Sequence, residues 1–115
     1  MKIGYARVST GLQNLDLQED SLKSEGCQKI FTDKISGAKS KRPGLKNAID
    51  FAREGGTIVV WQLDRLGRNM QDLITIVNLL NDRGISFYSI QENITMDKSS
   101  STGQLMFHLF AAFAE

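Results

Sequence analysis

The chain has 115 residues, of which 41% are hydrophobic and 23% charged, and this composition predicts one folded domain and excludes a disordered chain. Its single cysteine, Cys27, and single histidine, His108, exclude an internal disulfide and a structural zinc site. Fourteen basic and thirteen acidic residues leave a net charge of +1, so the overall charge does not indicate a nucleic-acid binder.

Short β-like runs alternate with helical patterns along the chain, and this alternation predicts an α/β domain with a largely parallel sheet. The first half of the chain predicts a strand at 2–8, a helix from Ser9 or Thr10 to about Glu25, a short strand at 29–32, a loop at 33–44 and a helix that begins near Pro43 and ends before Gly55. The second half predicts a strand at 57–61, a loop at 62–69 and a helix at about 70–83. A strand at 85–90, a loop at 91–100 and a helix at 101–115 follow.

The longest apolar stretch, 105–114, is far shorter than the roughly 20 residues that span a bilayer. The first ten residues also lack the apolar centre of a signal peptide. We therefore expect a cytoplasmic protein that does not contact a membrane.

The last predicted helix carries apolar residues around most of its circumference, whereas one core-facing stripe needs about half as many. Either the helix is wholly buried, or one side meets another chain. We favour the second, because a terminal helix in a small domain has little protein left to cover it. The candidate interface residues are Met106, Phe107, Phe110 and Phe113. The pattern stops without a helix-ending signal after Glu115, so we expect a truncated chain.

Three polar segments follow predicted strands, and the carboxyl ends of parallel strands form the usual ligand crevice of such a fold. They supply a hydroxyl, four arginines and two carboxylates, namely Ser9, Arg7, Arg42, Arg65, Arg68, Asp33 and Asp64. With one histidine, a Ser-His-Asp triad around the hydroxyl is excluded. The glycine-rich signatures of nucleotide binding are also absent.

Guanidinium groups pair bidentately with phosphate oxygens and keep their charge. Gathered around one phosphodiester, they would stabilise the extra negative charge of a pentacoordinate transition state without a metal. They would also lower the pKa of a nearby serine hydroxyl and make it a better nucleophile. The strand ends therefore predict phosphoryl-transfer chemistry at Ser9.

The motif Tyr5-x-Arg7-Val8-Ser9 is followed by Gln13 and Gln18, by Ser36-Gly37 with Arg42-Pro43-Gly44, and by Asp64-Arg65-Leu66-Gly67-Arg68. In this order and spacing the set resembles the serine recombinase family, most closely the resolvase/DNA invertase group. The implied fold is a three-layer α/β/α resolvase-like domain with a four- to five-stranded, mostly parallel central sheet and a C-terminal oligomerisation helix. Residues 1–100 would form the catalytic core, and 101–115 the start of the long helix.

The resemblance implies that Ser9 attacks a DNA phosphodiester to form a 5′-phosphoserine linkage and release a 3′-hydroxyl. Subunits would form homodimers, assemble into a tetramer on double-stranded DNA, exchange strands and religate without a metal, ATP or another cofactor. By the same resemblance, four arginines engage the scissile phosphate, Asp64 orients them or moves a proton, and other residues support the site. The implied phosphate ligands are Arg7, Arg42, Arg65 and Arg68, and the supporting residues are Tyr5, Gln13, Gln18, Asp33 and Ser36. Members of this group end in a helix-turn-helix domain, which is absent from this sequence.

Other interpretations remain at this stage. Without the resemblance, Ser9 is most simply a helix N-cap, and Arg65 and Arg68 could form ion pairs with Asp64 and Asp72. The chain could be a non-catalytic dimerisation module of a DNA-binding protein. A third alternative is a hydrolytic nuclease in which Asp33 and Asp64 hold a metal.

Overall fold

The computed structural model describes residues 1–8, 15–34, 42–96 and 102–114. Its elements are β1 (Lys2–Val8), α1 (Leu15–Ser24), β2 (Lys29–Lys34), α2 (Pro43–Ala52), β3 (Thr57–Val60), α3 (Leu63–Leu66), α4 (Met70–Asp82), β4 (Ser86–Ser89), β5 (Ile94–Met96) and α5 (Thr102–Ala114). The predicted α/β alternation is confirmed.

The strands form one five-stranded sheet in the order β2-β1-β3-β4-β5. The first four run parallel, and β5 pairs antiparallel with β4. Because β2 and β3 lie on opposite sides of β1, the strand order reverses at β1. The carboxyl end of β1 is therefore the topological switch point, where open α/β sheets place their ligands.

The two faces of the sheet carry cores of different size. Ala6 and Val59 pack with Leu22 of α1 on one face. Residues of the other helices join alternate strand residues such as Ile3 and Ile58 in a larger core on the opposite face. This division follows from the alternation of side chains along a strand. It gives the three layers that the resemblance implies.

Three local predictions were wrong. Strand β2 continues through Lys34, because β1 offers pairing partners as far as Val8, so Asp33 lies in a strand rather than in a loop. The predicted loop at 62–69 contains α3, and the predicted loop at 91–100 contains β5. Asn93, with φ at 53°, adopts the left-handed conformation that asparagine tolerates, and this turns the chain back for β5 to pair with β4.

Helix α5 is anchored through Leu105 and Leu109, which are 4% and 0% exposed and belong to the larger core. Among the helices in the described ranges, none combines the length and apolar character needed to cross a membrane.

Candidate active site

Arg7 lies at the carboxyl end of β1, on the face of the sheet that carries Tyr5 and the larger core. Its Nη2 donates a hydrogen bond to the backbone carbonyl of Asp64, the second residue of α3. Burial lowers the pKa of the Arg7 guanidinium, and the positive charges of Arg42 and Arg65 lower it further, against the opposing effect of Tyr5. These three arginines, distant in sequence, are therefore electrostatic neighbours.

The backbone of Arg7 is held by Gln18, a fully buried amide on α1. Its Oε1 accepts from the Arg7 backbone N–H at 3.2 Å, and its Nε2 donates to the Arg7 carbonyl at 3.2 Å. A side-chain amide thus satisfies the last backbone groups of β1 as a neighbouring strand would. Gln13, predicted from the same segment, lies outside the described residues.

Tyr5 and Asp33 form a buried pair below the arginines. The Tyr5 hydroxyl donates to Asp33 Oδ2 at 2.8 Å, and Asp33 also accepts from the backbone N–H groups of Gly44 and Leu45 at 2.8 and 3.1 Å. A carboxylate at this place satisfies unpaired N–H groups in the first turn of α2 and favours its dipole. Burial, together with the Asp33 carboxylate, holds the pKa of the Tyr5 hydroxyl far above its usual range. Tyr5 is therefore a neutral donor.

The Arg-Pro-Gly motif has a steric basis. A Cβ atom on Gly44 would lie 2.5 Å from the carbonyl oxygen of Thr32 and 2.8 Å from Asp33 Oδ1. Glycine therefore lets α2 begin directly against β2, while Pro43 occupies the first helical position, where no N–H is needed. Ser36, which was predicted to support the site, lies outside the described residues.

Arg42, the N-cap residue of α2, connects α2 to the last residue of α3 and to the first turn of α4. Its Nη1 donates to the Leu66 carbonyl at 2.7 Å, and its Nη2 donates to Asp72 Oδ1 and Oδ2 at 3.0 and 2.8 Å. The side chain is 10% exposed. In this state, both Nη atoms of Arg42 bind protein acceptors.

The one-turn helix α3 carries Asp64 and Arg65. Asp64 is 55% exposed, and its Oδ1 lies 3.8 Å from Arg65 Nε, a long ion pair. After α3 the chain turns at Gly67, where a Cβ atom would lie 2.6 Å from the Cα atom of Leu73. Glycine there lets α3 and α4 meet closely. The next residue, Arg68, donates its backbone N–H to Asp72 Oδ2 at 2.9 Å, with its Nε 3.7 Å from the same oxygen.

Two donors of this cluster have no hydrogen-bond acceptor in the described part of the chain. Arg7 Nε and Arg65 Nε are buried, and neither makes a hydrogen bond to any residue that the structure describes. Buried polar groups are nearly always hydrogen-bonded, so these two N–H donors need an explanation. A bound anion would supply the missing acceptors and balance the neighbouring positive charges. Ser9, the predicted nucleophile, lies outside the described residues.

A family model described as the N-terminal domain of resolvase matches residues 2–115. The chain belongs to the resolvase family. It is 80% identical over 115 residues to the transposon Tn552 DNA-invertase BinR of Staphylococcus aureus, with 100% of this chain and 60% of that protein covered. It is 51% identical to the serine recombinase gin of Escherichia phage Mu, again over the whole chain and 58% of the relative. The chain thus spans about 60% of the length of these relatives.

Solved structures agree with the fold. The N-terminal catalytic domain of TP901-1 integrase superposes with a TM-score of 0.71 at 33% identity, over 99% of this chain and 94% of that one. A resolvase family site-specific recombinase from Streptococcus pneumoniae gives a TM-score of 0.72 at 20% identity, over 97% and 85%. The resemblance to the resolvase family and the resolvase-like fold predicted from sequence are both confirmed.

The four candidate interface residues of α5 divide into two pairs. Phe107 and Phe110 are 71% and 53% exposed. Met106 and Phe113 are partly buried and pack against the larger core. The outward face of α5 in this resolvase-family domain is thus defined by Phe107 and Phe110.

Glu92, in the turn between β4 and β5, contributes to the site without having been predicted from the sequence. Its Oε1 accepts from the Leu63 backbone N–H at 3.1 Å and from the Ser89 hydroxyl, so it fixes the start of α3 and thereby the place of Asp64 and Arg65. No local signal could have identified it, because Leu63 lies 29 residues away in sequence.

The ion pair considered for Asp72 is present with Arg68, and Asp72 also binds Arg42.

Proposed function

We propose that the protein is a serine site-specific recombinase that cuts and rejoins double-stranded DNA through a phosphoserine at Ser9. The observation that carries the proposal is the pair of buried Nε donors, on Arg7 and Arg65, that have no acceptor among the described residues. They lie in a cluster of arginines at the switch point of the sheet, and a phosphodiester offers two oxygens to such a cluster.

The proposed nucleophile follows Arg7 by two residues in the sequence. Consecutive Cα atoms are about 3.8 Å apart, so the Cα atom of Ser9 lies within roughly 8 Å of that of Arg7. Gln18 holds the backbone of Arg7, and the Arg7 guanidinium reaches the carbonyl of Asp64. We therefore propose that Arg7 supplies a phosphate ligand and Ser9 the attacking hydroxyl.

In the proposed reaction, the Ser9 oxygen bonds to phosphorus while the bond from phosphorus to the 3′ oxygen breaks. The serine hydroxyl gives up its proton, and the departing 3′ oxygen gains one. Arg7, Arg42, Arg65 and Arg68 would hold the phosphoryl oxygens and stabilise their charge in the transition state. The reverse attack by a 3′-hydroxyl religates DNA, and the phosphoserine linkage conserves the energy that religation needs.

The contacts of Asp33 argue against a metal-dependent nuclease built on Asp33 and Asp64. Both Asp33 oxygens accept hydrogen bonds, from Tyr5 Oη and from the N–H groups of Gly44 and Leu45. A metal ion would have to compete with these donors. Asp64, in contrast, is half-exposed beside Arg65, where it could orient the guanidinium or move a proton.

We propose that residues 1–100 form a catalytic core and that residues 101–115 form the first part of an oligomerisation helix. Phe107 and Phe110 would join subunits into a dimer, and dimers would pair into a tetramer on DNA. A cytoplasmic location follows from the proposed substrate.

The test is to find the residue that becomes linked to DNA. The protein at its natural length is incubated with nicked duplexes, which prevent rejoining, then denatured, treated with nuclease and digested with trypsin. The peptide 8–23, between Arg7 and Lys23, contains both Ser9 and Ser21. We expect a nucleotide phosphate on Ser9, no adduct in Ser9→Ala, and an unchanged adduct in the matched control Ser21→Ala.

Two other results would contradict the proposal. Cleavage that leaves free 5′-phosphates, needs a divalent metal and yields no protein adduct would favour the nuclease. Sequence-specific DNA binding with neither cleavage nor adduct, together with concentration-dependent dimers, would favour the non-catalytic module.

A further inference from the structure

Asp72 contacts two members of the arginine cluster, Arg42 and Arg68, without belonging to the set that the sequence pattern identified. Both of its carboxylate oxygens accept from Arg42 Nη2, at 3.0 and 2.8 Å. One of them also accepts from the backbone N–H of Arg68 at 2.9 Å. A single carboxylate therefore binds residues from the start of α2 and from the turn before α4.

Asp72 and the Leu66 carbonyl occupy donors on both Nη atoms of the Arg42 guanidinium. A guanidinium offers an anion either Nη1 with Nη2 or Nε with Nη2, and both forks include Nη2. Asp72 takes Nη2, while the Leu66 carbonyl takes Nη1 at 2.7 Å. A phosphate that binds either fork of Arg42 therefore competes with Asp72 for Nη2 and for the guanidinium charge.

We propose that Asp72 is an internal counter-ion, which occupies Arg42 in the free protein and is displaced from it by a DNA phosphate. The inference rests on the proposed function, because it assigns the displacing anion to the DNA backbone. Asp72 belongs to no part of the proposed chemistry. Its role is to set the affinity of the cluster for phosphate.

Displacement leaves Asp72 with other partners. Its carboxylate keeps the backbone N–H and the guanidinium of Arg68, the latter at 3.7 Å, and its own N–H is held by Asn69 at 2.8 Å. Its side chain is 21% exposed, so solvent reaches it. Arg42 therefore exchanges one anion for another, and neither Arg42 nor Asp72 becomes a buried unpaired charge, which would be costly.

The proposal predicts that removing the charge of Asp72 strengthens DNA binding. Asparagine has nearly the same shape and keeps an oxygen for the Arg68 N–H, but it releases Arg42 more easily. We expect Asp72→Asn to bind a fluorescent duplex roughly three- to tenfold more tightly at low salt. The slope of log K against log salt should change by less than about 0.9, the value for one phosphate contact, because Arg42 contacts the phosphate in both proteins. Binding is measured in the Ser9→Ala background, so that cleavage does not interfere.

Two comparisons separate this effect from a general change in charge. Asp82→Asn removes the same charge from an exposed position on the same helix, about 15 Å along the axis and beyond the Debye length of ~10 Å at 0.1 M salt. We expect it to leave the affinity unchanged at that salt concentration. In an Arg42→Ala background the gain from Asp72→Asn should disappear, because the nitrogen that Asp72 blocks is gone.

A second measurement covers the case in which Asp72→Asn does not fold. In the Ser9→Ala protein with Asp72 intact, the ¹³C resonance of the Asp72 carboxyl should shift on addition of duplex DNA, because the carboxylate loses Arg42. An unmoved resonance would overturn the proposal, and so would an Asp72→Asn protein that binds DNA no more tightly than its parent. A gain that persists without Arg42 would also overturn it.

The proposed function fails separately. If Arg7→Ala, Arg42→Ala and Arg65→Ala all leave DNA affinity and adduct formation unchanged, the cluster is not a phosphate site. If those variants lose DNA affinity while Asp72→Asn gains none, the proposed function stands and only the role of Asp72 is wrong.

Discussion

Within the described part of the chain, the arginine cluster and the outward face of α5 both carry groups that lack a protein partner. The two surfaces favour different kinds of partner. In the cluster, Arg7 Nε and Arg65 Nε are buried without an acceptor in the described chain. On α5, Phe107 and Phe110 leave 71% and 53% of their surface in water. An unpaired buried donor favours an anion or a polar group, whereas exposed aromatic rings favour an apolar protein surface.

The two surfaces also differ in what maintains them. The cluster takes residues from β1, α2, α3 and the turn before α4, so it exists only when all of these are in place. The aromatic face of α5 comes from consecutive turns of one helix, and Leu105 and Leu109 anchor that helix from the other side. The difference suggests that chemistry and assembly can be altered independently, which the following substitutions test.

Arg65→Ala should have the largest effect. It removes a buried donor, Nε, which makes no hydrogen bond to a described residue and only a long ion pair of 3.8 Å with Asp64, so the fold loses little. Loss of one preorganised donor should slow DNA cleavage by about 10²–10³-fold. The measurement is the rate of adduct formation under single-turnover conditions.

Arg83→Ala is the matched control for Arg65→Ala. It removes the same charge from an exposed arginine that pairs with Asp50 at 3.0 Å, away from the cluster. Its cleavage rate should match that of the parent protein. Equal rates for Arg65→Ala and the parent would remove Arg65 from the site.

Phe110→Ser should weaken self-association by roughly tenfold, because an exposed aromatic anchor is lost at the proposed interface. Its free energy of unfolding should change by less than about 0.5 kcal/mol, as expected for a surface position. Sedimentation equilibrium and denaturant titration measure the two quantities. The neighbouring Leu109, fully buried, provides the contrast, since Leu109→Ala should cost about 2–5 kcal/mol of stability. The reverse ranking would place Phe110 in the monomer core.

Tyr5→Phe should have the smallest effect. It removes the hydroxyl that donates to Asp33 Oδ2, while the N–H groups of Gly44 and Leu45 still satisfy that carboxylate. We expect a loss of about 1 kcal/mol in stability. If Tyr5 only supports the site, the cleavage rate at saturating DNA should fall by less than tenfold. A loss as large as that of Arg65→Ala would make Tyr5 a direct phosphate ligand.

Residues on the regular elements were predictable because their environment is periodic. The apolar positions of α2, which repeat every three or four residues, are all buried as expected, among them Leu45 and Ile49. The alternation in β1 likewise places Tyr5 and Arg7 on one face of the sheet. The site residues at the strand ends followed from the rule that parallel strands present their carboxyl ends at one edge.

Contacts between distant segments were not predictable in the same way. Nothing near Asp72 in sequence indicates that it binds Arg42, thirty residues earlier, and nothing near Glu92 indicates that it fixes α3. Strand β5 is only three residues long, and its pairing with β4 depends on a turn rather than on a hydrophobic pattern.

Local pattern, then, was sufficient to predict the class of fold and the family, and to nominate the candidate arginines, because periodicity and motif spacing are properties of the sequence itself. Tertiary structure decided which arginines are already paired, which donors lack an acceptor, and which aromatic rings face outward. Those outcomes depend on atoms that approach each other only when the sheet and its helices are assembled. Hydrogen bonding and burial act over a few ångströms of space, whatever the separation of the residues along the chain.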